Sequence, residues 1–330
     1  MKLLRRGALV LLFALAVAGI PLASLMLPYR GFQNETFVKF ERGAGTPAMA
    51  RALQEAGAIR YPWQFWLARA MNPGVKLVAG EYRFSDTASV REVFDRITRG
   101  DVYYFDFNVP EGSNIFDIAR LAEASGVVPA QEFLEAAGNP ALIKDLDPGA
   151  KTLEGYLFPA TYRLSHSTTA ADLCQMMTAQ FRKQWKKLAG EANPHTAVTL
   201  ASLVEKETGL ADERPLIAGV FANRLRIGMA LDCDPTTIYA ALLDKRYHGV
   251  IHKSDLKSSN PYNTYQNAGL PPGPIANPGA EALAAALKPA ETEYLYFVAK
   301  PAGGGHQFSK NLADHEKAVK AYRHGKGKNG

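Results

Sequence analysis

The chain has 330 residues, of which 47% are hydrophobic and 21% are charged, and its formal net charge is +6. This is the composition of a globular protein of about two or three domains, and it excludes a collagen-like chain. The modest, diffuse basic excess suits an anionic surface such as a membrane or a cell wall. No RNA-binding, zinc-finger or basic-helix motif accompanies it, so no nucleic-acid partner is expected.

The N-terminus carries basic residues ahead of Gly7–Leu27, a stretch without charged side chains. As a helix rising about 1.5 Å per residue, this stretch would cross a hydrocarbon core of roughly 30 Å. Cations that precede an apolar segment stay in the cytoplasm. We therefore expect a cytoplasmic stub at residues 1–6 and a single transmembrane helix at 7–27, with the rest outside the cytoplasm. A cleaved signal peptide is the alternative.

Residues 31–150 contain two similar segments, Glu41–Ile59 and Pro110–Val128, each preceded by a short strand-like run. Each segment predicts a strand, a glycine turn and a helix that ends near a glycine. This part of the chain is therefore expected to consist of small α+β modules, although any strand–helix unit closed by glycine would give a similar pattern. The predicted N-caps of the two helices are Thr46 and either Ser113 or Asn114.

The remaining elements are predicted from periodicity and caps. A strand at Leu77–Phe84 leads to a helix that is capped at Ser89 or Thr87 and closed by Gly100. Residues 151–325 are expected to form a second, mixed α+β domain, and 326–330 a disordered tail. In this second domain the predicted helices are Ala170–Leu188, His195–Thr208, Asp212–Gly228, Gly279–Ala286 and Asn311–Arg323. The predicted strand is Glu293–Lys300.

Two carboxylates, Glu205 and Glu207, lie at the end of the helix predicted at His195–Thr208. Residues two apart on a helix point in different directions, so these two cannot act side by side. Glu207 continues the apolar stripe that begins at Leu200, whereas Glu205 falls beside Lys206 and is expected to be solvated or supporting. Burial raises the pKa of a carboxyl, as a general acid requires. Periodicity favours Glu207 as the functional residue, and a surface position at the helix end is the alternative.

Two further stretches could contribute to a site. Asp234 is followed by Pro235, a pattern typical of an N-cap with proline at the first helical position, so a capping role competes with a functional one. The long loop Ser258–Gly279 mixes amide, hydroxyl and aromatic side chains, which suit a carbohydrate ligand. A loop of this length is usually functional or disordered, and a purely structural loop made rigid by prolines also remains open.

The two cysteines, Cys174 and Cys233, could pair in an exported protein or remain free buried thiols. The histidines are scattered, without the spacing of a metal site. We therefore predict no metal ion and no cofactor.

Several ordered motifs together resemble the YceG-like family of endolytic murein transglycosylases. They are LEGYLFPATY, ASLVEKET, FANRLRIGMALDCDPTTIYA, NPYNTYQNAGLPPGPIANPG, YLYFVA and GGHQFSKNLADH. The resemblance covers nearly the whole chain and is strongest over residues 151–320.

This resemblance implies LysM-like α+β modules at 31–150 and a catalytic domain at 151–325, on the periplasmic or extracytoplasmic side of the cytoplasmic (inner) membrane. It implies cleavage of nascent peptidoglycan glycan strands between N-acetylmuramic acid and N-acetylglucosamine, with formation of a 1,6-anhydro end. Such an enzyme would terminate strand elongation, in association with penicillin-binding synthases. The second glutamate of the E-K-E-T motif, Glu207 here, would be the catalytic residue.

Positions in the other motifs are candidates for contact with the sugar: Glu154, Asn223, Asp234, Tyr262, Asn263, Thr264 and Tyr265. Two departures from the family pattern stand out. Ala160 occupies a position that is often acidic, and the first module has FERGAG in place of a V-P-x-G turn, which weakens the expectation that it binds glycan.

Two other functions remain open from the sequence. A muramidase-type hydrolase could use the same site and would release reducing ends. A non-catalytic peptidoglycan-binding scaffold would bind the wall without cleaving it.

Overall fold

The structure is a computed structural model that describes residues 19–188, 192–301 and 303–326. The described residues form helices and short strands, so the expected α+β class is confirmed. The chain divides into two compact units, Met1–Phe105 and Asp106–Gly330. This division does not coincide with the boundary expected at residue 150, because the second repeat segment belongs to the larger unit.

The N-terminal prediction falls largely outside the described residues. Of the expected transmembrane helix at 7–27, residues 7–18 are not described, and 19–24 are helical. Across the described ranges, no helix has both the length and the apolar character needed to span a membrane. At the other end, the disordered tail expected at 326–330 was wrong for residue 326, which ends a helix, and residues 327–330 are not described.

After the helical residues 19–24, the described part of the first unit contains one antiparallel strand pair and three further helices. Strand β1 (Thr36–Phe40) pairs with β2 (Gly80–Phe84), and the core between the strands and the helices includes Val38, Tyr82 and Phe65. The predicted strand Leu77–Phe84 is shorter than expected. The helices are α1 (Thr46–Glu55), α2 (Pro62–Met71) and α3 (Val90–Arg99).

The predicted caps can be compared directly. Ser89 caps α3, since its side chain accepts from the Glu92 amide while the Glu92 carboxylate accepts from the Ser89 amide. Asn114 caps the helix that begins at Ile115. The prediction for Thr46 was wrong by one residue, because Gly45 is the N-cap and Thr46 and Pro47 form the first helical positions.

The second unit holds the candidate site and is mostly helical. Strand β3 (Phe105–Asn108), at its start, pairs with β4 (Thr161–Leu164). Strand β5 (Tyr296–Ala299) pairs with β6 (His306–Ser309) in an antiparallel hairpin. The elements after β3 are α4 (Ile115–Ala124), α5 (Ala130–Ala137), a 3₁₀ turn (Pro140–Ile143), β4 (Thr161–Leu164), α6 (Ala170–Leu188), α7 (Pro194–Glu207), a 3₁₀ turn (Ala211–Glu213), α8 (Arg214–Arg226), α9 (Asp234–Leu243), a 3₁₀ turn (Asp255–Lys257), α10 (Ala280–Leu287), β5 (Tyr296–Ala299), β6 (His306–Ser309) and α11 (Leu312–Lys326).

Helix α7 lies at the centre of this unit, in contact with α8, α9 and α10. Its first turn is set by Asn193, whose side chain accepts from the Thr196 amide, and by Pro194 at the first position. Every residue from Ala197 to Val204 is buried. Neighbouring helices therefore cover α7 on several sides, and they hold its C-terminal residue, Glu207, in place.

Candidate active site

Glu207, the last residue of α7, lines a cavity of about 400 Å³. This volume lies within the roughly 300–1,000 Å³ typical of small-ligand pockets. Charged, aromatic and aliphatic groups from several elements surround the carboxyl. The other lining residues are Arg224, Leu231, Asp232, Asp234, Tyr265, Tyr296, Phe297, Leu312 and His315.

Burial raises the pKa of Glu207 above its ordinary value, and the negative charge of Asp234 raises it further. The thiol of Cys233 and the positive charges of His306 and Arg224 act in the opposite direction, but the net shift is upward. The position at the end of α7 adds to the rise, because the C-terminus of a helix carries partial negative charge. The carboxyl can therefore hold a proton at a pH where an exposed glutamate would have lost it.

Cys233 contacts this carboxyl directly. Its Sγ donates to Glu207 Oε1 at 3.0 Å, and Cys233 is 1% exposed. The residue before it, Asp232, has a left-handed backbone with φ of 48°, a conformation that aspartate tolerates better than most residues. Both Cys174 and Cys233 are free and buried, so the open question of their pairing is answered in favour of free thiols.

Asp234 and Tyr265 form a second pair in the cavity, where the Tyr265 hydroxyl donates to Asp234 Oδ1 at 2.6 Å. The capping role considered for Asp234 was wrong by one residue. Cys233 is the N-cap of α9, and Asp234 is its first helical residue. The carboxylate thus binds a tyrosine from the long loop and lines the cavity, as a functional role would require.

Arg224, Tyr296 and His315 form another wall of the cavity, and sequence reasoning missed all three as site residues. The Tyr296 and His315 rings stack with centroids 5.0 Å apart, and the Arg224 guanidinium lies 5.2 Å from the Tyr296 ring centroid. Arg224 Nε donates to the Leu295 carbonyl at 2.6 Å. Each residue falls within a motif already quoted, but only tertiary packing shows that they face Glu207.

The other predicted sugar contacts do not line this cavity. Asn223 donates to the carbonyls of Thr292 and Tyr294, and Tyr262 packs on Tyr239. Asn263 is fully buried and hydrogen-bonds three carbonyls of its own loop, those of residues 255, 256 and 258. These side chains hold loops in position.

Thr264 and Glu154 are also buried away from the cavity lining. Thr264 Oγ1 accepts from the Cys233 amide at 3.1 Å, so Thr264 supports the loop that carries the thiol. Glu154 accepts from the Ile115 amide, the Tyr239 hydroxyl and the Asn277 side chain. Its carboxyl joins three segments of the second unit.

The expectation that Glu205 would be solvated is wrong. Its side chain is 5% exposed, lies 3.3 Å from Arg214 and accepts from the Gly279 amide at 2.9 Å. Because other elements cover α7 on this side as well, Glu205 has no solvent to face. Its alternative role as a supporting residue fits these contacts.

Among the described residues, no three His, Cys, Asp or Glu side chains are grouped so that they could hold a metal ion. The chemistry on which the site is built is instead that of one partly buried carboxyl, further carboxylates, an arginine and aromatic rings.

Comparisons with known proteins show related chains. The model of the YceG-like family matches residues 38–321. A Bacillus subtilis (strain 168) protein named endolytic murein transglycosylase is 32% identical over 308 residues, a match that covers 86% of this chain and 84% of that protein. A Streptococcus pneumoniae protein of the same name is 29% identical over 86% of this chain, but the match spans 57% of that protein.

A crystal structure of a yceG-like protein from Listeria monocytogenes is also similar. Its TM-score is 0.55 at 29% sequence identity, and the match covers 86% of this chain and 98% of that one.

Proposed function

Because the chain belongs to the YceG-like family, we propose that it is an endolytic lytic transglycosylase of peptidoglycan. It cleaves the bond between N-acetylmuramic acid and N-acetylglucosamine inside nascent glycan strands and leaves a 1,6-anhydro end. The observation that carries the proposal is Glu207, a carboxyl with a raised pKa on the wall of a cavity rich in polar and aromatic groups.

One carboxyl can serve both steps of this reaction. Protonated Glu207 donates its proton to the glycosidic oxygen while the bond to the anomeric carbon breaks. The resulting carboxylate then takes the proton from the muramyl 6-hydroxyl, whose oxygen attacks the anomeric carbon. The attack is intramolecular and gains from proximity, and no second carboxylate is needed to activate a water.

The charges around Glu207 suit the transition state of this cleavage. Positive charge develops on the sugar ring, and the carboxylates of Asp232 and Asp234 on the cavity wall would stabilise it. Asp232 lies 3.5 Å from the Arg224 guanidinium, and Asp234 binds Tyr265. These contacts hold both carboxylates in place, and the Arg224 guanidinium partly offsets the rise that burial causes in the pKa of Asp232.

We propose that the stacked rings of Tyr296 and His315 contact the sugar, together with Asp234 and Tyr265. His315 Nδ1 is buried and has no hydrogen-bond partner among the described residues, so a sugar hydroxyl could bind it. The remaining predicted contacts act as supports of the cleft: Glu154, Asn223, Tyr262, Asn263 and Thr264.

A muramidase-type hydrolase is the second candidate function, and one observation favours it. Asp234 lines the same cavity as Glu207 and could act as the base that activates a water. The Tyr265 hydroxyl already occupies one oxygen of Asp234, which makes this carboxylate less available as a base.

The substitution Glu207→Gln tests for catalysis, because it removes the acid while keeping the shape of the side chain. We expect the full-length variant to bind peptidoglycan but to cleave glycan strands at least about a hundredfold more slowly. The matched control is Glu291→Gln at an exposed position, which should cleave like the wild type. If wild type and Glu207→Gln both bind the wall and neither cleaves it, the protein is a scaffold.

We also propose that residues 7–27 anchor the protein in the cytoplasmic membrane, with the catalytic unit on the outer side. The uncharged stretch preceded by basic residues supports this placement. There the enzyme would meet nascent strands and penicillin-binding synthases. Retention of the full-length protein in membranes after carbonate extraction would support the anchor, and release would contradict it.

A further inference from the structure

Cys233 is held at both ends of its backbone. Its amide donates to Thr264 Oγ1 at 3.1 Å, and its carbonyl accepts from Thr236 Oγ1 at 2.6 Å. The two threonine hydroxyls are themselves hydrogen-bonded at 2.9 Å. All three residues are at most 1% exposed. These buried hydrogen bonds fix the Cys233 backbone and so restrict the direction of its side chain, whose Sγ contacts Glu207.

The thiol is a donor in this contact. Burial raises the pKa of Cys233 well above its ordinary value, and the neighbouring Glu207 raises it further. The thiol therefore keeps its proton at neutral pH, and its Sγ–H group donates to Glu207 Oε1 at 3.0 Å. A reactive or metal-binding cysteine would need the opposite, a thiolate in an accessible position.

We propose that Cys233 is a positioning residue for the acid–base function of Glu207. Its S–H group donates to Oε1, and Oε1 is therefore the carbonyl oxygen of the protonated carboxyl. The catalytic proton is then on Oε2, where it is directed into the cavity. During cleavage the proton moves from Oε2 to the glycosidic oxygen and is later replaced by the proton of the attacking hydroxyl. The thiol neither gains nor loses a proton. This role rests on the function proposed above.

A thiol fits this task better than a hydroxyl because it is a weak donor. A strong donor would stabilise the carboxylate and lower the pKa of Glu207, so a smaller fraction of the carboxyl would hold a proton near neutral pH. A thiol orients the carboxyl while lowering the pKa of Glu207 by a smaller amount. Removing the donor should have the opposite effect, because the carboxylate then loses a partner and the acid form persists to higher pH.

Three groups that face Glu207, namely Asp234, His306 and Arg224, also act on its pKa. These three and the other charged and titratable groups around Glu207 are all unchanged in the test. From α8, α9, α11, the two strands of the hairpin and the adjoining loops these are Arg224, Asp234, His315, Tyr296, His306, Asp232 and Tyr265. The comparison must therefore be made between variants at Cys233 alone.

The experiment compares the pH profile of kcat for full-length wild type, Cys233→Ala and Cys233→Ser. In Cys233→Ala the alkaline limb should move up by about 0.5–1 pH unit, and kcat should fall about tenfold. In Cys233→Ser the limb should move down by a similar amount, with most of kcat kept near its new optimum. The control is Cys174→Ser in α6, another buried thiol, which should leave the limb where it is.

A second readout separates the positioning role from the function. The titration of the ¹³C-labelled Glu207 carboxyl, assigned by its loss in Glu207→Gln, follows its pKa without substrate. Opposite shifts in the Ala and Ser variants support the role, even if the wild type proves to have no lytic activity and the proposed function fails. Unchanged titrations, or shifts in the same direction, overturn the role even in an active enzyme.

Discussion

At the scale of single residues, the raised pKa of Glu207 follows from the position of this residue in the fold. Glu207 is partly buried, it ends a helix, and the carboxylate of Asp234 lines the same cavity. Each of these features disfavours the charged form of the carboxyl. The raised pKa of Glu207 is thus a property of its neighbours, and a change in a neighbour should move it.

Asp234→Asn tests the electrostatic part of this explanation. The negative charge of Asp234 raises the pKa of Glu207, so its removal should lower that pKa and move the alkaline limb of kcat to lower pH. The value of kcat should fall as well, because a carboxylate facing the developing positive charge is lost. Asp212→Asn at an exposed position is the matched control. An unchanged alkaline limb would show that the charge of Asp234 does not act on Glu207.

The two glutamates of α7 show what helical periodicity can predict and what it cannot. Glu207 could be selected from the sequence because it continues the apolar stripe. Glu205 was misjudged because an amphipathic pattern assumes one face open to water, whereas α7 is packed on several sides. A salt bridge to Arg214, nine residues along the chain, cannot be predicted from helical spacing.

At the scale of elements, Arg214 joins α8 to α7 and α10. It pairs with Glu205, with Glu281 and, at 3.7 Å, with Glu111. Because Arg214 and Glu205 are 7% and 5% exposed, the loss of the cation would leave a buried carboxylate without its charge partner.

Arg214→Met should therefore lower the free energy of unfolding by about 3–5 kcal/mol. Adding Glu205→Gln should restore much of this loss, since the unpaired charge is then gone. Urea denaturation of both variants measures the coupling. As a control, Lys310→Met breaks the exposed pair with Glu293 and should leave the transition unchanged. A double variant no more stable than Arg214→Met would refute the pairing.

Glu154 joins the start of α4 to α9 and to the segment around Asn277. Burial raises its pKa from the ordinary 4.5 to about 8, even though its partners all donate to it. The folded state therefore keeps this proton over a range in which the unfolded chain releases it. The stabilisation is complete below about pH 4.5 and is lost as the pH rises to about 8.

We expect the thermal stability of the wild type to decline between these pH values, by an amount on the order of a few kcal/mol. In Glu154→Gln this pH dependence should be much smaller, and stability at low pH should be lower, because one amide group now faces a donor. Calorimetric scans across the range measure the difference. Parallel pH dependence of wild type and variant would show that Glu154 does not retain the proton.

Local signals predicted most elements of the second unit. The helix at Ala170–Leu188 was placed at its observed ends, and α7 within one residue at each end. Pairing of distant strands could not be predicted: β3 pairs with β4, more than fifty residues later, and no local pattern records that partner. The same reason explains why Tyr296 and His315 were missed, since long-range packing brings both to Glu207.

At the scale of the whole molecule, the residues of the candidate site all belong to the unit Asp106–Gly330. The second repeat segment, grouped with the first from the sequence, supplies α4 to this unit. The sequence repeat thus did not predict a shared domain. The tertiary contacts that each copy makes determine the unit in which that copy folds. The overall basic charge is consistent with an anionic wall as substrate surface.

The most direct test of the central claim is the chemistry of the new glycan ends. Full-length enzyme is incubated with uncross-linked peptidoglycan strands, and the products are identified by mass spectrometry. Ring closure driven by Glu207 alone predicts 1,6-anhydro-N-acetylmuramic acid ends, which Glu207→Gln should no longer form. Products one water heavier, with reducing ends, would contradict this account and show that the enzyme is a hydrolase.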